Sequence, residues 1–125
     1  MRKEQREVEI FMQLAQQGLP ARPVMPSPSA RDLHVNLILE ELVELEEAFK
    51  QGDMVEAYDA IIDLLYVTVG AASAMGLEIE PGWNEVQRSN LSKFIDGHRR
   101  ADGKWVKGPS YSPANLKAIV KEQLR

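Results

Sequence analysis

The stretch AIIDLLYVTVGAASAMGL, residues 60–77, restricts the fold most. It is apolar on nearly every side. Turn signals bracket it, QGD at 51–53 and Gly76, so it predicts a helix over about 54–75 that is buried on most of its faces. Asp63 and two glycines interrupt it and make it a poor membrane span. A carboxylate in such surroundings is costly unless something positive sits beside it. Yet Glu56, Asp59 and Asp63 line up at i, i+3 and i+7 on one face of this helix. Glu56 has a local explanation, because Asp53 and Glu56 form a D-x-x-E capping box. Asp59 and Asp63 have none, and like charges one turn apart destabilise a helix.

Helical periodicity recurs along the chain, and no set of alternating strands is visible. Helices are expected at about 3–17, 30–50, 54–75, 82–95 and 113–124. Ser29 is the expected N-cap of the second helix, and Ser112, with Pro113 after it, that of the last. The four prolines of GLPARPVMPSPS, residues 18–29, predict an extended connection. Residues 96–113 are polar, basic and turn-rich. The expected fold is all-α, a bundle of about four main helices with one irregular basic arm, and a single domain over 1–125. Apolar residues make up 44% of the chain, enough for a packed core. The net charge of −4 disfavours nucleic acid and anionic membrane as partners. The absence of cysteine excludes disulfides and thiolate metal sites. With a charged start lacking a signal-type apolar stretch, the expected setting is the cytoplasm.

On the second helix, Val35, Ile38, Leu42, Leu45 and Phe49 form the expected core stripe, widened by Leu39 and Val43. Glu40 and Glu47 project away from it. Glu41 lies close beside it, next to Leu37 and Ala48, with Glu44 a little farther round. The short QGD connection makes helices two and three antiparallel neighbours. Counting outward from Gly52, Glu41 matches Asp63 in height, and Glu44 matches Ala60, beside Asp59. Two explanations stand for Glu41, Glu44, Asp59 and Asp63. Each finds a basic partner such as Arg88, Lys93 or His34, or together they hold a divalent cation. Hard oxygen donors of this kind suit Mg²⁺ or Mn²⁺ rather than zinc.

Downstream the charge changes sign with Arg88, Lys93, His98, Arg99, Arg100, Lys104 and Lys107. A polyphosphate is the natural partner of an acidic, metal-loaded cleft and a basic arm together. Unless it serves that purpose, the arm is simply a solvated loop. Trp83, Trp105, Tyr66 and Tyr111 are either packing residues or a surface for stacking a base.

The ordered combination of EELVE (40–44), DLLYV (63–67), SNLSK (89–93) and DGKWVKG (102–108) resembles the all-α NTP pyrophosphatases. This is the MazG-like superfamily that includes phosphoribosyl-ATP pyrophosphohydrolase and the dimeric dUTPases. The resemblance covers most of residues 31–113. It implies an Mg²⁺-dependent enzyme that cleaves a nucleoside triphosphate to the monophosphate and pyrophosphate, assembled as a homodimer or homotetramer. It makes Glu41 and Glu44 the first pair of metal ligands, Asp63 the final Asp of the family's ExxD, and Glu40 the glutamate that contacts or activates water. The family's other Glu falls on Ala60, with Asp59 as its substitute; Glu56-xx-Asp59 fits the same pattern in another register. Asn90, Lys93, Lys104 and Lys107, with Arg88, fall in the phosphate-contacting arm. Phosphoribosyl-ATP hydrolysis, a non-catalytic helical module and an inactive nucleotide-binding relative remain as alternatives.

Overall fold

Two adjacent residues make the central hairpin. Gly52 takes the left-handed conformation (φ 65°) that closes α2, Pro28–Gln51, and Asp53 caps α3, Met54–Ala74. The Asp53 carboxylate accepts the Glu56 N–H at 3.1 Å. The computed structural model describes all 125 residues. Helix takes up 64% of them and sheet almost none, so the chain is all-α. It divides into two compact units, Met1–Leu77 and Glu78–Arg125.

In the first unit, α1 (Arg2–Leu14) lies against α3. Val8 and Met12 are buried there, within van der Waals reach of a side chain at Gly70. Gln5 is 1% exposed. Its amide is satisfied by Ser73 Oγ at 2.9 Å and the Leu77 carbonyl at 2.8 Å, while Ser73 donates to Glu9 at 2.6 Å. The proline-rich connection passes the end of α3, where the Val24 N–H donates to the Met75 carbonyl. Gly76 (φ 70°) sits against it, and a Cβ at Gly76 would collide with the Arg22 carbonyl. Gly76→Ala combines left-handed strain with that collision. It is expected to cost at least ~2 kcal/mol, read as a drop of roughly 5 °C or more in Tm.

In the second unit, α4 (Ile79–Ser92) leads into an antiparallel ribbon, β1 (His98–Arg99) and β2 (Trp105–Val106). His98 pairs with Val106 and Arg99 with Trp105. The chain ends in α5, Leu116–Gln123, which packs on α4.

Several sequence expectations are corrected. The cap of α2 is Ser27, not Ser29, because Pro28 lacks an N–H and is preset for the first helical position. Helix α4 begins at Ile79, with Pro81 in its first turn, where a missing N–H leaves no bond unmade. Helix α5 starts only at Leu116, capped by Asn115, whose side chain accepts the Ala118 N–H at 3.1 Å. The arm contains the short ribbon, so it is not wholly irregular.

The largest correction concerns the core. The buried and half-buried residues of α2 are Ala30, His34, Leu37, Ile38, Glu41, Leu45 and Ala48. Val35, Leu42 and Phe49 are 54%, 48% and 65% exposed. Buried Ala57 and Ala60 lie on the face of α3 turned towards α2. Of the expected stripe only Ile38 and Leu45 are half-buried, and small residues take the rest of the buried positions. The same holds for α3, where Met54, Tyr58, Ile61 and Leu65 are exposed rather than buried. By length and composition α3 could cross a membrane. It carries Glu56, Asp59 and Asp63 and packs against both α1 and α2.

Candidate metal centre

Because α2 and α3 run antiparallel from a tight turn, residues equally distant from Gly52 face one another. Glu41, Glu44 and Asp63 meet at that level, and one carboxylate oxygen from each lies within 4.8 Å of the others. Glu41 and Asp63 are half-buried and Glu44 is exposed, so the cluster lies at the edge of the helix contact. Glu41 Oε2 is shielded from solvent and has no hydrogen-bond partner. A buried acceptor left in that state is costly.

The electrostatics agree with the geometry. Burial pushes the Glu41 carboxyl upward, and the charges of Glu44, Asp63 and Asp59 push it farther. Burial also raises Asp63, followed by the charges of Asp59 and Glu44. None of the chain's ion pairs involves these four acids. His34, on the same helix as Glu41, does not compensate them: its Nδ1 is itself buried and unpartnered.

Three hard oxygen donors that converge, one of them orphaned, fit a divalent cation of the Mg²⁺ class. Asp59 stands one turn from Asp63, close enough to raise its pKa, but lies outside the converging trio. Glu40 is exposed and lies on another flank of α2, where it shares a shallow surface pocket with Asn36, Leu39, Val43 and Glu44.

The basic candidates belong to the second unit. Asn90 is exposed near the end of α4, and Lys93 is its C-cap. The Lys104 N–H donates to Asp102 in the ribbon turn. Lys107 follows β2, with its ammonium 4.4 Å from the centre of the Tyr111 ring. Arg88 is engaged locally. It donates to both oxygens of Glu85 at 2.7 and 2.8 Å and to the Pro113 carbonyl at 3.2 Å. The Arg88 hydrogen bonds, with one from the Asn115 N–H, hold the Glu85 carboxyl down at about 2. Arg88 and Glu85 thereby tie the segment before α5 to α4.

Among the aromatics, Trp105 lies against Phe94 and donates to the Lys93 carbonyl at 2.7 Å. Tyr66 meets Phe11 edge to face at 5.8 Å. His34 was considered in the sequence only as a basic partner. Its place seven residues before Glu41 puts it on the same helix face, a spacing that could have marked it as a cleft residue.

An all-α chain with this ordered set of carboxylates is a member of the MazG-like all-α NTP pyrophosphatase superfamily. Within that class, a family model described as phosphoribosyl-ATP pyrophosphohydrolase (PRA-PH) matches residues 8–90, and the chain belongs to this family. No significant match is found among curated proteins. The family is one of pyrophosphohydrolases, which defines the chemistry at the coarse level.

Proposed function

We propose that the protein is an Mg²⁺-dependent pyrophosphohydrolase that splits a nucleoside triphosphate, ribo- or deoxyribo-, into the monophosphate and pyrophosphate. One observation carries this assignment: Glu41, Glu44 and Asp63 converge, with Glu41 Oε2 buried and unpaired. Mn²⁺ is an alternative ion, and dUTP is one candidate substrate. Phosphoribosyl-ATP is a second candidate, favoured by the family to which the chain belongs. The cytoplasm is the proposed setting, in keeping with a family of nucleotide-processing enzymes.

Glu41, Glu44 and Asp63 would hold the ion, with Asp59 adding negative charge beside Asp63. When bound, the ion supplies charge neutralisation and Lewis acidity for in-line attack of water on phosphorus. Glu40, outside the trio, is the proposed group to orient the water and accept its proton. Lys93, Lys104 and Lys107, with Asn90, would hold the phosphates and the departing pyrophosphate. Tyr66 and Phe11 form an aromatic corner suited to a base, and Tyr66 also lines an apolar groove between α1 and α3. We further propose a homodimer or homotetramer, because the exposed stripes of α2 and α3 are unpartnered in the single chain.

The decisive assay measures pyrophosphate release from the common ribo- and deoxyribonucleoside triphosphates and from phosphoribosyl-ATP, with and without Mg²⁺. Turnover of one or more nucleoside triphosphates that requires Mg²⁺ is expected. Turnover of phosphoribosyl-ATP alone would select the second candidate. No turnover of any substrate, with no calorimetric signal for Mg²⁺ or Mn²⁺, would leave a helical module.

A further inference from the structure

In the second unit, two ammonium groups converge on one aromatic ring. Lys93 Nζ lies 5.8 Å and Lys107 Nζ 4.4 Å from the centre of the Tyr111 ring. Neither lysine takes part in an ion pair. Like charges repel, so gathering two of them without a carboxylate needs another source of attraction. The negative face of an aromatic ring supplies it within about 6 Å.

The ring is fixed from both sides. Before it, the Ser110 N–H and hydroxyl donate to the Asp96 carboxylate at 3.0 and 2.6 Å. After it, the Ser112 N–H donates to Ser92 Oγ at 2.8 Å. Ser92 immediately precedes Lys93, so this bond sets Tyr111 beside that lysine. Gly108 presses against Asp96, where a Cβ would collide with the Asp96 carbonyl. The Lys93 backbone is held in turn by the Trp105 indole. Backbone hydrogen-bonded before and after it thus presents one ring to two lysine side chains.

We propose that Tyr111 is a positioning residue: its ring face gathers Lys93 and Lys107 into one preformed site for a pyrophosphate group. The inference rests on the assignment of the arm to phosphate binding. It adds the device that holds two otherwise mobile lysines together before substrate arrives, which lowers the ordering cost of binding.

The test titrates inorganic pyrophosphate into the full chain by calorimetry. Lys93→Met and Lys107→Met should each weaken binding. Tyr111→Leu should weaken it roughly fivefold, whereas Tyr111→Phe, which keeps the ring, should match the parent. In the Lys107→Met background the Tyr111→Leu loss should shrink, a non-additivity that a general folding defect does not produce. With the nucleotide identified by the release assay, Tyr111→Leu should raise KM more than it lowers kcat. Tyr111→Met is made alongside, so that the comparison survives if the leucine variant does not fold. If both lysine variants weaken binding while Tyr111→Leu and Tyr111→Met match the parent, the positioning role is overturned and phosphate binding by the arm stands. If Tyr111→Phe loses as much as Tyr111→Leu, the hydroxyl acts rather than the ring, and the inference fails. If neither lysine matters, it falls together with the arm's assignment.

Discussion

Glu41→Gln is expected to lower pyrophosphate release by roughly 10²–10⁴-fold while leaving the fold intact or slightly more stable. Glu41 is half-buried, with one carboxylate oxygen shielded from solvent and unpaired. The amide keeps its size but removes a charge that three neighbouring acids oppose. A salt-bridged structural glutamate would behave in the opposite way, losing stability and sparing any activity. Thermal melts with and without Mn²⁺ separate the two cases. The parent should gain roughly 2.7 kcal/mol when the ion is at a hundred times its Kd, and the variant should gain little.

The metal-free parent should also show a distinctive pH response. Glu41 and Asp63 are raised in the folded chain above their ordinary 4.5 and 3.8. Protons therefore bind the folded form more tightly than the unfolded form. The stability linked to these two groups is complete below those ordinary values and is lost as pH rises through the raised ones. Glu85 and Asp102, which are lowered, contribute in the opposite direction. The informative quantity is thus the difference between the parent and Glu41→Gln in chelator. A difference that does not change with pH would count against a strained carboxylate cluster.

The second large effect concerns assembly. Val35, Leu39, Leu42 and Phe49 on α2, with Met54, Tyr58, Ile61 and Leu65 on α3, are all exposed in the single chain. By helical periodicity all but Leu39, which lies nearer Glu40 and Glu44, point away from the acids. A side chain of this size contributes about 1.5–3 kcal/mol when fully buried, and a continuous exposed patch of this kind marks an interface. The double variant Leu42→Glu, Ile61→Glu should therefore sediment as a monomer while the parent sediments as a dimer or larger. A parent that is monomeric at micromolar concentration would sink the assembly proposal.

The hairpin was legible because its determinants are local. Gly52 and Asp53 fix the turn, and counting outward from it places Glu41 opposite Asp63 whatever else the chain does. The inward face of α2 was not legible. Periodicity identifies a bulky stripe but not what covers it, and hydrophobicity favours Phe49 over Ala48. The chain instead uses Ala48, Ala57 and Ala60 where its helices approach, which places Glu41 within the contact. The start of α5 was hidden for another reason. Ser112 and Pro113 look like a helix entry, but Ser92 takes the Ser112 N–H and Arg88 takes the Pro113 carbonyl. Those bonds come from residues far off in sequence.

Ala60 stands where the family resemblance would put a glutamate, and it is 1% exposed. A longer side chain at so buried a position would have to displace its neighbours. A glutamate there would add one carboxylate and disturb the packing beside the other three. A glutamate at this position would therefore have to be accommodated by movement of the very helices that carry the converging oxygens.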